Sequence, residues 1–472
     1  MDGTIEIPIW FAVVAAVLAV FGLIDRLLRP GLGWLLRRRV NRAIEEINQR
    51  LRLRLQPFKL TRRQVLVDRL IYDAQVVEAV EAQAGDGGGP SRADLMARVR
   101  RFAEEIVPAF NVYLYFRIGY WLARRVAMAL YRVRLGYADG EALAKVDAKA
   151  AVVFVMNHRS NMDYLLVTVL AAEQTALSYA VGEWARVWPL QQLIRALGAY
   201  FVRRDSGDAL YRRVLERYIA MATEAGVTQA VFPEGGLSRD GKLREPRLGV
   251  IDYMTKSFDP AGTRDVIFIP VALNYDRVLE DRTLLRSLDK DAKRRTGGFI
   301  FRTVAGFMVR NFRQMWAGTW HRFGYACVNF GTPISLRDWV GRHGVDLRRM
   351  EKAERFVHVA ALARDLMAGI GRVIPVTPVS LIARAVLERG EAAVSALELK
   401  AEAARLMERL EASGARIYIP RADRDYAIGV GLRMLTLRRL VVERDGLYRA
   451  VAEERPLLGY YANAIAHLLP ER

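Results

Sequence analysis

Short apolar runs that alternate with helical segments constrain this chain more than any other feature of its sequence. Lys149 to Met156 is an apolar run bounded by polar residues and reads as a buried strand. Runs of the same kind recur at Gln229 to Phe232, Val266 to Leu273 and Tyr325 to Phe330. Helical segments such as Asp208 to Ala225 lie between them. Strands alternating with helices predict an α/β fold, a central mixed sheet flanked by helices, over about residues 145–345. Upstream, residues 64–84 read as helical and Gly85 to Pro90 breaks the pattern. Ser91 with Asp94 three residues later is a capping pattern for the next helix, and that helical stretch runs on through Phe110 to Leu135. From about residue 350 the chain reads as mainly helical, with a strand-like Arg416 to Ile419 inside it. The expected division is 1–25, 26–144, 145–345 and 346–472.

The first of these segments points to a membrane. Ile7 to Ile24 carries no charge over 18 residues, the lower bound for a spanning helix. Acidic Asp2 and Glu6 precede it, whereas twelve basic residues and only Glu45 and Glu46 fall between Arg26 and Arg63. The positive-inside rule places the bulk of the chain on the cytoplasmic side, and an acidic start argues against a cleaved signal peptide. Residues 1–25 are therefore expected to anchor the chain, and 26–144 to form a basic juxtamembrane and helical region that meets anionic membrane lipids. A second surface patch is expected at Lys293 to Arg322, where seven basic residues and no acid interleave with Phe299, Phe301, Phe307, Phe312, Trp316 and Trp320.

Composition narrows the partner class. The chain carries a formal net charge of +20, which calls for an anionic partner. No zinc-finger, homeodomain or RNP-like pattern accompanies the charge, so nucleic acid is not expected. With 52% apolar residues the chain is neither disordered nor collagenous, and one cysteine, Cys327, permits no internal disulfide. Cys327 reads as core. His321, His343, His358 and His467 sit in no metal-ligand spacing, and no metal or organic cofactor is expected.

The chemistry is concentrated where the strand ending at Met156 runs into Asn157-His158-Arg159-Ser160-Asn161-Met162-Asp163. Residues five apart lie about 140° out of phase on a regular helix, so His158 and Asp163 would not share a face. A histidine on a loop and an aspartate in the first turn that follows can meet. The carboxylate then accepts one imidazole N–H and leaves the other nitrogen as a base. Gly198 to Arg204 ends an apolar run in two adjacent arginines, Arg203 and Arg204. Phe232 to Arg239 adds Glu234, Gly235, Gly236, Ser238 and Arg239 after a strand, with Lys242, Arg244 and Arg247 close behind. Ile267 to Ala272 is a fourth short strand whose Pro270 limits its pairing. One base, one orienting acid and several fixed cations suit acyl transfer to a hydroxyl of a phosphorylated acceptor.

These four stretches, in this order, resemble the four blocks of the glycerolipid acyltransferase superfamily. The segment Leu457 to His467 and the phrase Pro375-Val376-Thr377-Pro378 are similar to the branch that acylates glycerol 3-phosphate and dihydroxyacetone phosphate. The resemblance implies that His158 is the general base, that Asp163 fixes its tautomer, and that Arg203 and Arg204 contact the acceptor phosphate. It assigns Glu234, Gly235, Gly236, Ser238 and Arg239 to the third block. Leu237 stands where the family usually has arginine, and Arg239, Lys242 or Arg247 are candidates for that charge. Gly235 and Gly236 allow close backbone approach, and Glu234 either contacts ligand or ties its loop to Arg203 or Arg204. The implied activity is membrane-bound O-acylation of the sn-1 hydroxyl of glycerol 3-phosphate from acyl-CoA or an acyl-carrier protein, giving lysophosphatidic acid for phospholipid synthesis. Two alternatives stay open at this point: dihydroxyacetone phosphate as acceptor, and a non-catalytic lipid- or acyl-carrier-binding scaffold.

Overall fold

The computed structural model describes residues 56–84, 90–171, 177–181, 190–203, 206–288 and 322–469. The expected anchor at 1–25, the basic segment up to residue 55, Arg204, and the basic aromatic patch up to residue 321 lie outside the described residues. Among the described residues, no helix is long and apolar enough to cross a membrane.

Eight strands build the main sheet: β1 (Arg132–Ala138), β2 (Ala151–Met156), β3 (Ser178–Val181), β4 (Tyr200–Phe201), β5 (Gln229–Val231), β6 (Val266–Tyr275), β7 (Tyr325–Phe330) and β8 (Ile334–Ser335). Their order is β1-β7-β6-β2-β5-β3-β4, with β8 also paired to β6. β6, β2, β5, β3 and β4 run parallel, while β7 lies antiparallel to β6 and carries β1 parallel to itself. The mixed sheet expected from the alternation of strands and helices is thus present. β2 is buried at every position, which is why it reads as an unbroken apolar run: a central parallel strand is covered on both faces. Helix Lys352–Arg372 packs on β6, burying Val359, Leu362, Leu366 and Ile370.

Pro270 sits in the middle of β6, opposite Val155 of β2. On its other side β6 pairs with β8 through Ile267 and Phe268 and with β7 from Val271 onward. The proline falls in the gap between those two ladders, so a central strand tolerates it there.

The stretch Phe110 to Leu135 is not helical throughout. The helix Tyr120–Leu130 stops at Tyr131, and Arg132–Ala138 pairs with β7 as the edge of the sheet. Only Val133 of that strand is buried; Arg132 and Arg134 face outward, as suits a protected edge. The cap at Ser91 forms as expected, its hydroxyl accepting from Asp94 N at 3.1 Å.

Downstream, five longer helices (Lys352–Arg372, Pro378–Glu388, Ala396–Ala412, Arg424–Leu437 and Arg455–Asn463) are joined by short strands. β9 (Pro375–Val376) pairs with β11 (Arg416–Ile417), and β10 (Val394–Ser395), β12 (Val441–Arg444) and β13 (Leu447–Ala450) form a three-stranded sheet. Thr377 and Ser380 make a reciprocal capping box at the start of helix Pro378–Glu388. Asp276 couples that helix to the main sheet, accepting from Tyr325 N at 2.8 Å and from Val379 N at 3.1 Å. Burial pushes the Asp276 carboxyl up to about 6.

Candidate functional site

The carboxyl ends of three adjacent strands, β5, β2 and β6, converge on one loop. β2 ends at Met156, and Asn157 turns its side chain onto β6 as if it were backbone. Its Nδ2 donates to Leu273 O at 3.0 Å and its Oδ1 accepts from Leu273 N at 2.8 Å. The next residue is His158, whose Nδ1 lies 2.9 Å from Asp163 Oδ2. Asp163 is the first residue of helix Asp163–Ala171 and is fully buried. Its Oδ2 also accepts from Arg159 N at 2.7 Å and Ser160 N at 3.0 Å. A carboxylate only accepts, so Nδ1 carries the proton and Nε2 is left with its lone pair. Nε2 has no hydrogen-bond partner among the described residues and is not one of their fully enclosed unpartnered atoms. The ring stacks on Phe232 at 4.0 Å and meets Tyr164 edge-on.

Each neighbouring strand end sends a carboxylate to this loop. From β5, Glu234 accepts from His158 N at 3.0 Å and from Arg244 N at 3.2 Å. Burial pushes its carboxyl up to about 7, against the opposing pull of those two N–H groups, Arg159 and Arg244. From the loop after β6, Glu280 accepts from Ser160 Oγ at 2.7 Å and from Asn161 N and Nδ2 at 3.2 and 3.1 Å. Burial raises the Glu280 carboxyl as well. The last residue of β6, Tyr275, donates its hydroxyl to Asp163 Oδ1.

The third-block loop folds onto this core through its own backbone. Ser238 N donates to His158 O at 2.8 Å, and Ser238 Oγ donates to Lys242 O at 2.7 Å while accepting from Gly241 N at 3.1 Å. Gly235 adopts φ +66° and donates its N–H to Phe232 O at 3.0 Å. The positive φ is what the sequence needed glycine for; that N–H closes a turn.

The segment Arg455 to Leu469 closes the far side of the same loops. Asn463 Nδ2 donates to Asp240 O at 2.9 Å, and Gly241, at φ +86°, presses against the Tyr460 carbonyl so closely that a Cβ there would lie 1.9 Å from the oxygen. Tyr461 OH accepts from Val278 N at 3.1 Å and Arg438 Nη1 at 2.8 Å, and donates to Asp281. Arg159, buried beside His158, lies near Tyr460 and His467.

The structure brings His158, Asp163, Glu234, Gly235, Gly236 and Ser238 together on contiguous loops. Glu234 ties its loop to the His158 backbone and to Arg244 N. Arg203 sends Nε and Nη2 to the two oxygens of Glu105 at 2.9 and 2.6 Å, so that fork is engaged with a carboxylate. Arg239, Lys242 and Arg247 are exposed and Leu237 is half-buried. Cys327 is buried in β7, as expected. Asn157, Tyr275 and Glu280 were not anticipated. The signal for them was present: each sits at or just beyond the carboxyl end of a strand, where open α/β sheets place their ligands. A cleft of about 1110 Å³ lies between Gly371, Arg416 and His467, and neither His158 nor Asp163 lines it.

The family comparisons agree with this architecture. Residues 139–274, which hold the His158–Asp163 pair, match the family model described as acyltransferase. Residues 312–472 match the model described as glycerol-3-phosphate acyltransferase C-terminal region. The resemblance read from the four blocks and the tail is borne out. A glycerol-3-phosphate acyltransferase of Actinobacillus succinogenes is 27% identical over 87% of this chain and 50% of its own length. One from Pseudomonas aeruginosa is 29% identical over 67% of this chain and 38% of its own. The chain spans about half the length of the curated relatives it matches, or less. Among solved structures, a 1-acyl-sn-glycerophosphate acyltransferase from Thermotoga maritima aligns over 65% of this chain and 92% of that one, with 15% identity and a TM-score of 0.29, too distant to carry an argument.

Proposed function

We propose that this chain transfers a fatty acyl group from a thioester to the sn-1 hydroxyl of glycerol 3-phosphate, with His158 as general base. The observation that carries the reading is the 2.9 Å contact between His158 Nδ1 and Asp163 Oδ2, which leaves Nε2 free to take a proton. The acceptor hydroxyl loses its proton to Nε2 as its oxygen attacks the thioester carbon. The new C–O bond forms, the C–S bond breaks, and the proton passes to the departing thiolate. Asp163 supports the imidazolium that exists between those two transfers. Base catalysis of this kind contributes about 10² to 10⁴ in rate.

The names of the relatives support glycerol 3-phosphate as the acceptor. Its phosphate would meet the exposed cations of the third-block loop, Arg239, Lys242 and Arg247, together with Arg204 of the second block. Arg203 would join them only by exchanging Glu105 for the ligand. Acyl-CoA or an acyl-carrier protein is the proposed donor. Membrane attachment with the catalytic domain on the cytoplasmic side, next to anionic lipid, rests on the apolar and basic sequence between Ile7 and Arg63.

The test supplies the full chain, reconstituted in vesicles containing anionic lipid, with labelled glycerol 3-phosphate and either palmitoyl-CoA or a palmitoylated carrier protein. Labelled 1-acyl product with one of the donors is expected. Folded, vesicle-bound protein that transfers acyl groups from neither donor would favour the binding scaffold instead.

A further inference from the structure

We infer that Tyr275 is a positioning residue for the proposed reaction, its hydroxyl setting how strongly Asp163 holds the His158 imidazole. The inference rests on the general-base reading of His158, and its first readout does not require turnover.

The two oxygens of Asp163 have unequal surroundings. Oδ2 receives three donors: the imidazole Nδ1–H and the backbone N–H groups of Arg159 and Ser160. Among the described residues Oδ1 receives one, the Tyr275 hydroxyl. Asp163 is fully buried, so water cannot replace that donor. The phenol is held firmly in place. Tyr275 ends β6, is itself fully buried, and packs its ring against Tyr131 at 5.4 Å. Burial, with the adjoining Asp163 charge, raises its ionisation far above the working range, so it stays a donor.

A phenol that donates to one carboxylate oxygen draws charge from the whole group. It weakens the hold of the other oxygen on the imidazole N–H, so the base releases its acquired proton more readily to the leaving thiolate. Removing the hydroxyl leaves a more basic carboxylate, which grips the imidazolium harder. The other charged and titratable groups around the pair stay in place when Tyr275 is altered. They are Glu234 at the His158 backbone, Arg159 and Arg244 beside Glu234, Glu280 on the Ser160–Asn161 turn, and the phenols Tyr164 and Tyr131. A change in the His158 titration then belongs to the missing hydroxyl.

The experiment is an NMR titration of the full chain labelled with ¹⁵N-histidine, in which the five imidazoles are few enough to resolve and His158 is assigned by its loss in His158→Gln. In Tyr275→Phe the His158 midpoint should move to higher pH by ~0.5 to 1 unit. In the same variant KM for glycerol 3-phosphate should stay within about twofold of wild type. Replacing Tyr275 by 3-fluorotyrosine keeps the ring packed and makes a stronger donor, so the midpoint should move the other way. Midpoints that coincide in all three proteins, or that move in the same direction in both variants, overturn the inference. Should Tyr275→Phe not fold, the fluorotyrosine protein decides alone by the sign of its shift. Wild-type protein that transfers no acyl group refutes the proposed function, while the titrations still decide the role of Tyr275.

Discussion

Asp163→Asn isolates the charge of the orienting residue from its shape. The three donors that converge on Oδ2 can all be kept if the asparagine carbonyl oxygen takes that place. The amide NH₂ then occupies the Oδ1 position, where the Tyr275 hydroxyl can turn to accept instead of donate. The Tyr275 O–H then loses its acceptor, so folding loses about 1–3 kcal/mol for that orphaned donor beyond the difference between charged and neutral acceptors. Catalysis loses more. An imidazolium forms within hydrogen-bond reach of the carboxylate, and a unit charge about 4 Å away at an effective dielectric near 20 is worth roughly 4 kcal/mol. Allowing for the amide dipole that remains, ~3–4 kcal/mol of transition-state stabilisation disappears, a loss of roughly 10² to 10³ in kcat. Thiol release from acyl-CoA in the presence of glycerol 3-phosphate measures the rate, and thermal melting reports the fold. A folded variant with kcat within about threefold of wild type would falsify the dyad. A melting temperature equal to that of wild type would show that the oxygen-by-oxygen accounting at Asp163 is wrong.

Two further outcomes follow from the same frame. Gly241→Ala meets both a left-handed backbone and the Tyr460 carbonyl oxygen, 1.9 Å from the added carbon, so it should destabilise the protein by ~2–4 kcal/mol, and an unchanged denaturation midpoint would contradict the packing described. The Glu234 carboxyl, raised from 4.5 to about 7 by burial, makes the folded chain hold an extra proton between those values, so its contribution to stability declines as pH rises through that window. The loss between pH 5 and pH 8 should therefore shrink by ~2–3 kcal/mol in Glu234→Gln, and equal losses in both proteins would remove the assignment.

The elements legible in the sequence are those whose environment is uniform. β2 is apolar at every position because both of its faces are covered, and helix Ala209–Glu224 shows the periodicity of a single buried side. β1 escaped because an exposed edge strand with arginines on it looks like the continuation of an amphipathic helix. β4, two residues long, carries too little pattern to register. His158 and Asp163 were readable because a local loop joins them. The partners that hold them were not, since Glu234, Tyr275 and Glu280 lie 76 to 120 residues away and meet the loop only through strand order. The second-block arginine was the least legible part: Arg203 has the residue type expected of a phosphate contact, yet its geometry is set by Glu105 from an earlier helix.

The contacts of Tyr460, Tyr461 and Asn463 with the Gly241 and Val278 loops have a consequence for synthesis on the ribosome. His158 emerges some 300 residues before the helix Arg455–Asn463 that braces its surroundings. A nascent chain can therefore build most of its sheet, yet the loops beside His158 gain their Tyr460, Tyr461 and Asn463 contacts only after that late helix has emerged.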